Sequence, residues 1–359
     1  MSLRMVIMAG GTGGHVFPAL AVAERLRDEG VEVSWMGTRR GLEAKVVPAH
    51  GFPIDWVEVG GLRGKGLGRW LGAPWQLLRA LGQALAILRR RRAHLVLGMG
   101  GFVTGPGGVA ARLLGRPLLI HEQNRIPGLT NRLLKPLARR VLCGFPGTFP
   151  ESERVVVTGN PVREAFARIP APRERLAERR GRSRLLVVGG SLGAAFFNET
   201  VPRALARLPA ERRPHVHHQC GERHLEATRR AYAEAGVEAE VMPFIEDMAA
   251  AYHWSDLVLC RAGALTVSEL AVAGAAAILV PYPYAVDDHQ TANARYLADA
   301  GAAVLVQQRD LDAERLGALL EERLSDRGAL LAMAEKARAL GRPEATALVT
   351  DHCLVNAHV

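Results

Sequence analysis

The feature that most restricts what this chain can fold into is a repeated exchange of two hydrophobic periods. Short aliphatic or β-branched runs stand at residues 5–8, 31–36, 95–97, 118–120, 155–158, 185–188, 237–242, 257–259, 277–280 and 303–306. Longer stretches with helical spacing lie between many of them, at 18–29, 75–92, 198–207, 266–273 and 290–300. Alternation of this kind predicts α/β architecture, with parallel sheets covered on both faces by helices. Glycine clusters follow at least three of the strands: Gly10-Gly11-Thr12-Gly13-Gly14-His15, Gly98-Met99-Gly100-Gly101 running on to Gly105-Pro106-Gly107-Gly108, and Gly189-Gly190-Ser191-Leu192-Gly193. The first and third follow what reads as the opening strand of a half. The expectation is therefore two Rossmann-like, doubly wound domains in series, and a length of 359 residues suits two. The segment Thr158-Gly159-Asn160-Pro161-Val162-Arg163 is the expected hinge, which divides the chain into residues 1–162 and 163–340.

A glycine-rich turn between strand and helix lets backbone N–H groups approach an anion at the positive end of the helix, which suits phosphates. Any one such loop could equally be a tight turn. Gly11-Thr12-Gly13-Gly14-His15-Val16 lacks the last glycine of G-x-G-x-x-G, and no G-x-x-x-x-G-K-[ST] occurs, which disfavours a nicotinamide dehydrogenase and a P-loop NTPase. In the second half, Cys260-Arg261-Ala262-Gly263-Ala264-Leu265-Thr266-Val267-Ser268-Glu269 ends a strand, turns through glycine and starts a helix at about Leu265. A diphosphate could dock on the Leu265 and Thr266 amides while Glu269 accepts two ribose hydroxyls; Thr266-x-x-Glu269 also spells a capping box. His121-Glu122-Gln123-Asn124 and Asp287-Asp288-His289-Gln290 stand at further strand ends, where ligands of open α/β sheets sit.

The balance of charge is uneven. Lysine and arginine number 46 against 36 acidic residues, and the pI is near 10.1. Residues 1–160 hold 22 basic and 10 acidic side chains, so the whole excess lies in the first half. Such an excess suits nucleic acid or an anionic membrane. Aromatics make up only 5% and no nucleic-acid module is visible, so no nucleic-acid partner is expected. The longest uncharged stretch, 271–286, is broken by Gly274, Pro281 and Pro283 and is too short to span a bilayer, and the N-terminus does not read as a signal peptide. Cys143, Cys220, Cys260 and Cys353 form no C-x-x-C pair, which fits a reducing, cytoplasmic setting. Around residues 60–92, Trp70 and Trp75 stand beside Arg63, Lys65, Arg69, Arg89 and Arg90, a composition suited to the interface of an anionic bilayer, although Leu78, Leu81 and Leu85 would serve a core face equally well.

Taken together, Gly10–Pro18, His121–Asn124 with Pro127-Gly128-Leu129-Thr130-Asn131, Gly159–Arg163, Gly189–Ala194 and Arg261–Glu269 resemble the bacterial peptidoglycan N-acetylglucosaminyltransferases that convert lipid I to lipid II. The resemblance runs from Met5 to about Leu340. It implies the glycosyltransferase B fold, with the two domains facing a cleft and a last helix, about 341–359, returning to the first domain. It implies inverting transfer from UDP-GlcNAc to the C4 hydroxyl of MurNAc in lipid I, on the cytoplasmic face of the membrane, by a peripheral enzyme with possible cell-wall synthesis partners. Carried onto this sequence, Arg163 and Ile245 would lie near uracil, Glu269 on the ribose, and Ser191, Leu265 and Thr266 at the diphosphate. Asn124, Ala264 and Gln290 would lie near the sugar, Thr12, Gly13 and Gly14 at donor and acceptor phosphates, and Gly101 and Gly105 on the acceptor side. Another two-domain glycosyltransferase with a different acceptor is the alternative, since fold does not choose among acceptors.

Helix N-termini and hydroxyl donors can stabilise a departing diphosphate, so no essential metal or other cofactor is expected. Asp310-Leu311-Asp312 spells D-x-D but reads as a helix start, and His215, His217, His218 and Cys220 alternate across an apparent strand. For the general base, His15 is the first candidate because an imidazole titrates near neutrality, with Glu122 its rival.

Overall fold

The structure of the protein, a computed structural model, describes residues 2–59, 67–177, 179–190 and 193–357, and of 67–73 the backbone alone. The chain forms two compact units, residues 1–163 with 343–359, and residues 164–342.

The strands of the first unit are β1 (Arg4–Met8), β2 (Glu32–Gly37), β3 (Ile54–Trp56), β4 (Leu95–Gly98), β5 (Leu118–Glu122), β6 (Arg140–Cys143) and β7 (Val155–Val157). They form one sheet in the order β3-β2-β1-β4-β5-β6-β7, every pair parallel. Because side chains alternate along a strand, Met5 and Ile7 enter one core with Trp35, Leu95 and Leu97, while Val6 and Met8 enter the other with Met36 and Val96. Burial on both faces explains why these strands read as continuous apolar runs. Helix Ala345–Ala357 lies against helix Gly13–Asp28 and puts Val349 and Cys353 into the first of these cores. Arg139 Nε donates to Asn356 Oδ1 at 2.9 Å and fixes its far end.

In the second unit β8 (Arg184–Val188), β9 (His215–Gln219), β10 (Glu240–Met242), β11 (Leu257–Cys260), β12 (Ala277–Leu279) and β13 (Ala303–Leu305) form a sheet in the order β10-β9-β8-β11-β12-β13, again parallel throughout. Each unit therefore carries the doubly wound pattern, with the strand order reversing between β1 and β4 in one and between β8 and β11 in the other. These reversals are where an open sheet parts its loops and leaves a crevice at the carboxyl ends of the strands.

Four elements depart from the sequence reading. Strands β3 and β6 are short and carry Asp55 and Arg140, so no apolar run announced them. The helix after the first glycine loop begins at Gly13, not near Pro18, and the helix expected at 75–92 is Leu67–Arg91. Among the described residues no helix is long and apolar enough to cross a membrane.

Candidate active site

Both strand-order reversals are flanked by the glycine loops. In the first unit these are the loops after β1 and β4, and in the second those after β8 and β11.

The loop after β1 rests on a residue that sequence reading did not single out. Glu43 is fully buried, and its Oε1 accepts from the Thr38 amide at 2.9 Å and the Thr38 hydroxyl at 2.7 Å, while Oε2 accepts from the Gly11 amide at 2.9 Å. Gly11 sits at φ +92°, a left-handed conformation that glycine adopts without strain. Thr12 is the N-cap of helix Gly13–Asp28 but makes no side-chain cap bond, so the hydroxyl is not committed to the helix end. Gly13 and Gly14 form the first turn, whose amides have no partner within the helix.

The loop after β4 comes in close. A Cβ on Gly101 would meet the Gly10 carbonyl oxygen at 2.5 Å, and one on Gly100 would meet His15 Nδ1 at 2.4 Å. Only glycines permit this approach, and both hold positive φ. Gly105 lies in the helix that follows, Thr104–Leu113.

At the end of β5 the cluster 121–124 is almost wholly interior. His15 Nδ1 lies 3.0 Å from Gln123 Oε1, and His121 Nε2 lies 3.0 Å from the Gly159 carbonyl. Burial pushes the His121 imidazole down to about 4, against opposing pulls from the Gly159 carbonyl and Glu122, so this ring is neutral at pH 7. Glu122 is 2% exposed, with Oε1 accepting from the Asn124 amide (3.0 Å) and Asn124 Nδ2 (3.3 Å), and Oε2 from the Gly128 amide (3.0 Å) and Asn131 Nδ2 (2.8 Å). Four N–H donors hold the Glu122 carboxylate as the latch of the 122–131 loop.

In the second unit helix Ala264–Ala273 is capped by Gly263 and has no side-chain cap bond. The capping box that Thr266 and Glu269 could have formed is therefore not made, because Thr266 is the third helical residue. The Leu265 and Thr266 amides lie in the first turn, and Leu265, Thr266 and Glu269 are all partly exposed. Gln290 Oε1 accepts from the Ala262 amide at 3.2 Å and the Tyr282 amide at 2.8 Å, which ties the turn after β11 to the loop after β12. Arg261 reaches the Val280 and Pro281 carbonyls at 3.1 and 3.2 Å and Gln308 Oε1 at 2.6 Å. Asp287 and Asp288 are consecutive non-glycine residues at φ +53° and +51°, a strained pair directly before helix His289–Ala298. Gly193, at φ +74°, lies where a Cβ would meet the Cys220 carbonyl oxygen at 2.0 Å. Ile245 is half-buried in the loop after β10, and Arg163 is exposed where the first unit ends. Ser191 lies outside the described residues.

The two metal-like spellings have other occupations. Asp312 caps helix Ala313–Ser325 by accepting from the Arg315 amide at 2.8 Å. His217 pairs with Glu240 at 2.8 Å and stacks on Trp254, while His218 turns to the Tyr232 hydroxyl at 2.9 Å. Among the described residues no three His, Cys, Asp or Glu side chains are grouped to hold a metal ion. All four cysteines are buried thiols, and burial raises Cys143, Cys260 and Cys353 to about 12.

On helix Leu67–Arg91 the side chains of Trp75, Leu77 and Leu78 are exposed, as are Leu113, Leu129 and Leu133 on the helices beyond it. Leu81 and Leu85 pack inward. Arg90 and Arg91 both bind the Asp55 carboxylate at 2.6 Å, so their charge is partly spent inside the unit, while Arg89 is exposed. The Trp70 side chain lies outside the described ones.

Comparison with known proteins agrees with this layout. Residues 5–143 match the glycosyltransferase family 28 N-terminal domain and residues 184–349 its C-terminal domain. A protein of Alkalilimnicola ehrlichii is 60% identical over 357 residues, covering 99% of this chain and 100% of its own length. One of Nitrosococcus oceani is 59% identical over 354 residues, covering 99% of each. Both are named UDP-N-acetylglucosamine–N-acetylmuramyl-(pentapeptide) pyrophosphoryl-undecaprenol N-acetylglucosamine transferase. The crystal structure of Acinetobacter baumannii MurG is 45% identical and superposes with a TM-score of 0.87 over 98% of this chain and 99% of its own. With two doubly wound units of the glycosyltransferase B type, matched along nearly its whole length by these enzymes, the chain belongs to glycosyltransferase family 28 and, within it, to the family of these N-acetylglucosamine transferases.

Proposed function

We propose that this chain transfers GlcNAc from UDP-GlcNAc to the C4 hydroxyl of MurNAc in undecaprenyl-diphospho-MurNAc-pentapeptide, giving lipid II. The observation that carries this is the identity of 59–60% across 99% of the chain to enzymes bearing that name, with the glycine loops intact at both strand-order reversals.

The donor diphosphate is assigned to the Leu265 and Thr266 amides at a helix start of the second unit together with Ser191, the ribose to Glu269, and uracil to Ile245 and to Arg163, the last residue of the first unit before the chain crosses over. Gln290, its oxygen committed to two backbone amides, has its amide NH2 for a sugar hydroxyl, and Ala264 is assigned to the sugar as well. In the first unit Thr12, Gly13 and Gly14 are assigned to phosphate, with Gly101 and Gly105 on the acceptor side.

The reaction is one inverting displacement. The acceptor oxygen forms a bond to the sugar C1 as the bond to the UDP oxygen breaks, and the hydroxyl proton passes to His15. Charge gathers on the departing diphosphate, where oriented amides of a helix N-terminus stabilise it without reorganising. On that chemistry the transfer needs no metal.

The exposed Trp75, Leu77 and Leu78, in the half of the chain that carries the basic excess, are assigned to the anionic inner leaflet in which the lipid acceptor is anchored. Transfer of radiolabel from UDP-GlcNAc to a lipid I analogue, with and without EDTA, tests the reading. Label in lipid II under both conditions is expected; no transfer under either refutes the function, and loss confined to EDTA refutes the metal-free step.

A further inference from the structure

The residues behind His15 fix where its proton sits. The argument starts from the fully buried end of the chain of contacts. His121 Nε2 faces the Gly159 carbonyl at 3.0 Å, and a carbonyl oxygen can only accept. His121 therefore carries its hydrogen on Nε2. As a neutral ring it then presents a lone pair at Nδ1, and the atom opposite, 3.1 Å away, is Gln123 Nε2. The Met99 carbonyl also faces Gln123 Nε2, at 2.9 Å. Two acceptors on one side of the amide require its NH2 there, and turning the amide over would set its oxygen against both. Gln123 Oε1 consequently points at His15 Nδ1, 3.0 Å away, and an amide oxygen has no hydrogen to give. The hydrogen of that bond belongs to His15 Nδ1.

We infer that Gly159, His121 and Gln123 form a relay that sets the tautomer of His15, holding its hydrogen on Nδ1 so that Nε2 presents the lone pair, and that Gln123 is a positioning residue for proton removal from the acceptor hydroxyl. The inference rests on the proposed role of His15 for its catalytic meaning, and on geometry alone for the tautomer. The relay is rigid where it must be: His121 and Gln123 are 0% and 1% exposed, and Asn160 Nδ2 clamps the Gln123 carbonyl at 3.0 Å. Gly100, which lacks the Cβ that would collide with His15 Nδ1, lets the backbone lie against that nitrogen. What a carboxylate does for the imidazole of a hydrolase triad, an oriented neutral amide does here, so no second buried charge is needed.

Nitrogen-15 NMR of the histidine-labelled full-length protein reads the tautomer directly. The expected result is a protonated Nδ1 and unprotonated Nε2 on His15, assigned by loss of the signals in His15→Ala. In Gln123→Met, which keeps the side-chain length and removes the amide, that single tautomer is expected to give way to a mixture. Turnover should fall by about tenfold to a hundredfold, part of what general-base catalysis supplies, with the KM for UDP-GlcNAc within about twofold. Nε2–H on wild-type His15, or Gln123→Met with an unchanged kcat, overturns the relay. The wild-type spectrum needs no variant, so misfolding of Gln123→Met leaves the test intact. Unchanged turnover in His15→Ala, with the Nδ1–H signature present in wild type, overturns instead the role of His15 as base.

Discussion

Replacing Glu43 by glutamine tests how the first glycine loop is held. The carboxylate accepts three hydrogen bonds from two separate segments, and its Oε2 alone reaches the Gly11 amide. A glutamine keeps its oxygen on the Thr38 side, where two donors wait, and so turns its NH2 toward Gly11. Donor then faces donor. A bond to a charged acceptor is worth about 1.5–3 kcal/mol, and the Gly11 N–H left facing a donor in this part-buried setting adds a smaller cost, since the exposed loop can shift toward water. A net loss of about 3 kcal/mol is expected. In a unit of this size each kcal/mol moves the midpoint by roughly 2–4 °C, so the first unit should melt about 6–12 °C lower. Calorimetry should show the shift in one of the two units only, with kcat/KM for the lipid acceptor falling as the Gly11–Gly14 backbone loses its anchor. A variant that melts within a degree of wild type, with unaltered kcat/KM, would refute the claim that Glu43 holds the loop.

Other outcomes follow from single features. Burial pushes His218 down to about 3 and His121 to about 4, so the unfolded chain binds these protons at higher pH than the folded one. Their contribution to stability is whole above about pH 6.5 and drains as pH falls toward 3–4, at about 1.4 kcal/mol per pH unit for each group. Asn in place of His218 should flatten the fall between pH 6 and 4, measured by denaturant titration of Trp254 fluorescence, and parallel curves for variant and wild type would count against it. Gly193→Ala should destabilise the second unit by more than about 2 kcal/mol, since both its positive φ and the 2.0 Å approach to the Cys220 carbonyl resist a side chain; an unchanged melting midpoint contradicts this. Trp75→Ser with Leu78→Ser should weaken co-sedimentation with anionic vesicles by about tenfold while leaving UDP-GlcNAc binding unaltered, and equal binding by the variant would remove this face from the membrane assignment.

The parts of the molecule legible in the sequence are those whose cause is local. Strands buried on both faces read as apolar runs, and the loops at the strand-order reversals read as glycine because positive φ and near contact of backbone with backbone leave no room for Cβ, as at Gly101 against Gly10. Strand β3 escaped notice because three residues, one of them the Asp55 that binds Arg90 and Arg91, give no periodicity. Glu43 as a site residue, and Gln123 as the partner of His15, were invisible for a different reason. Each acts through partners far along the chain, Gly11 for one and His15 for the other, and nothing near either residue spells that meeting. The HEQN string displayed four polar residues at a strand end, but only the folded contacts show one as latch, one as relay and one as buried neutral ring.

The return of helix Ala345–Ala357 to the first unit sets an order for the chain's manufacture. Residues 1–163 leave the ribosome first, yet Val349 and Cys353, both fully buried in their core, are made only after the whole second unit. At about 5–20 residues per second the gap lasts roughly 10–40 s. Through that interval the stripe of helix Gly13–Asp28 that the late helix covers has no native neighbour. The domain begun first is finished last, and a nascent chain stalled inside the second unit carries an uncovered apolar strip on which aggregation or a chaperone can act.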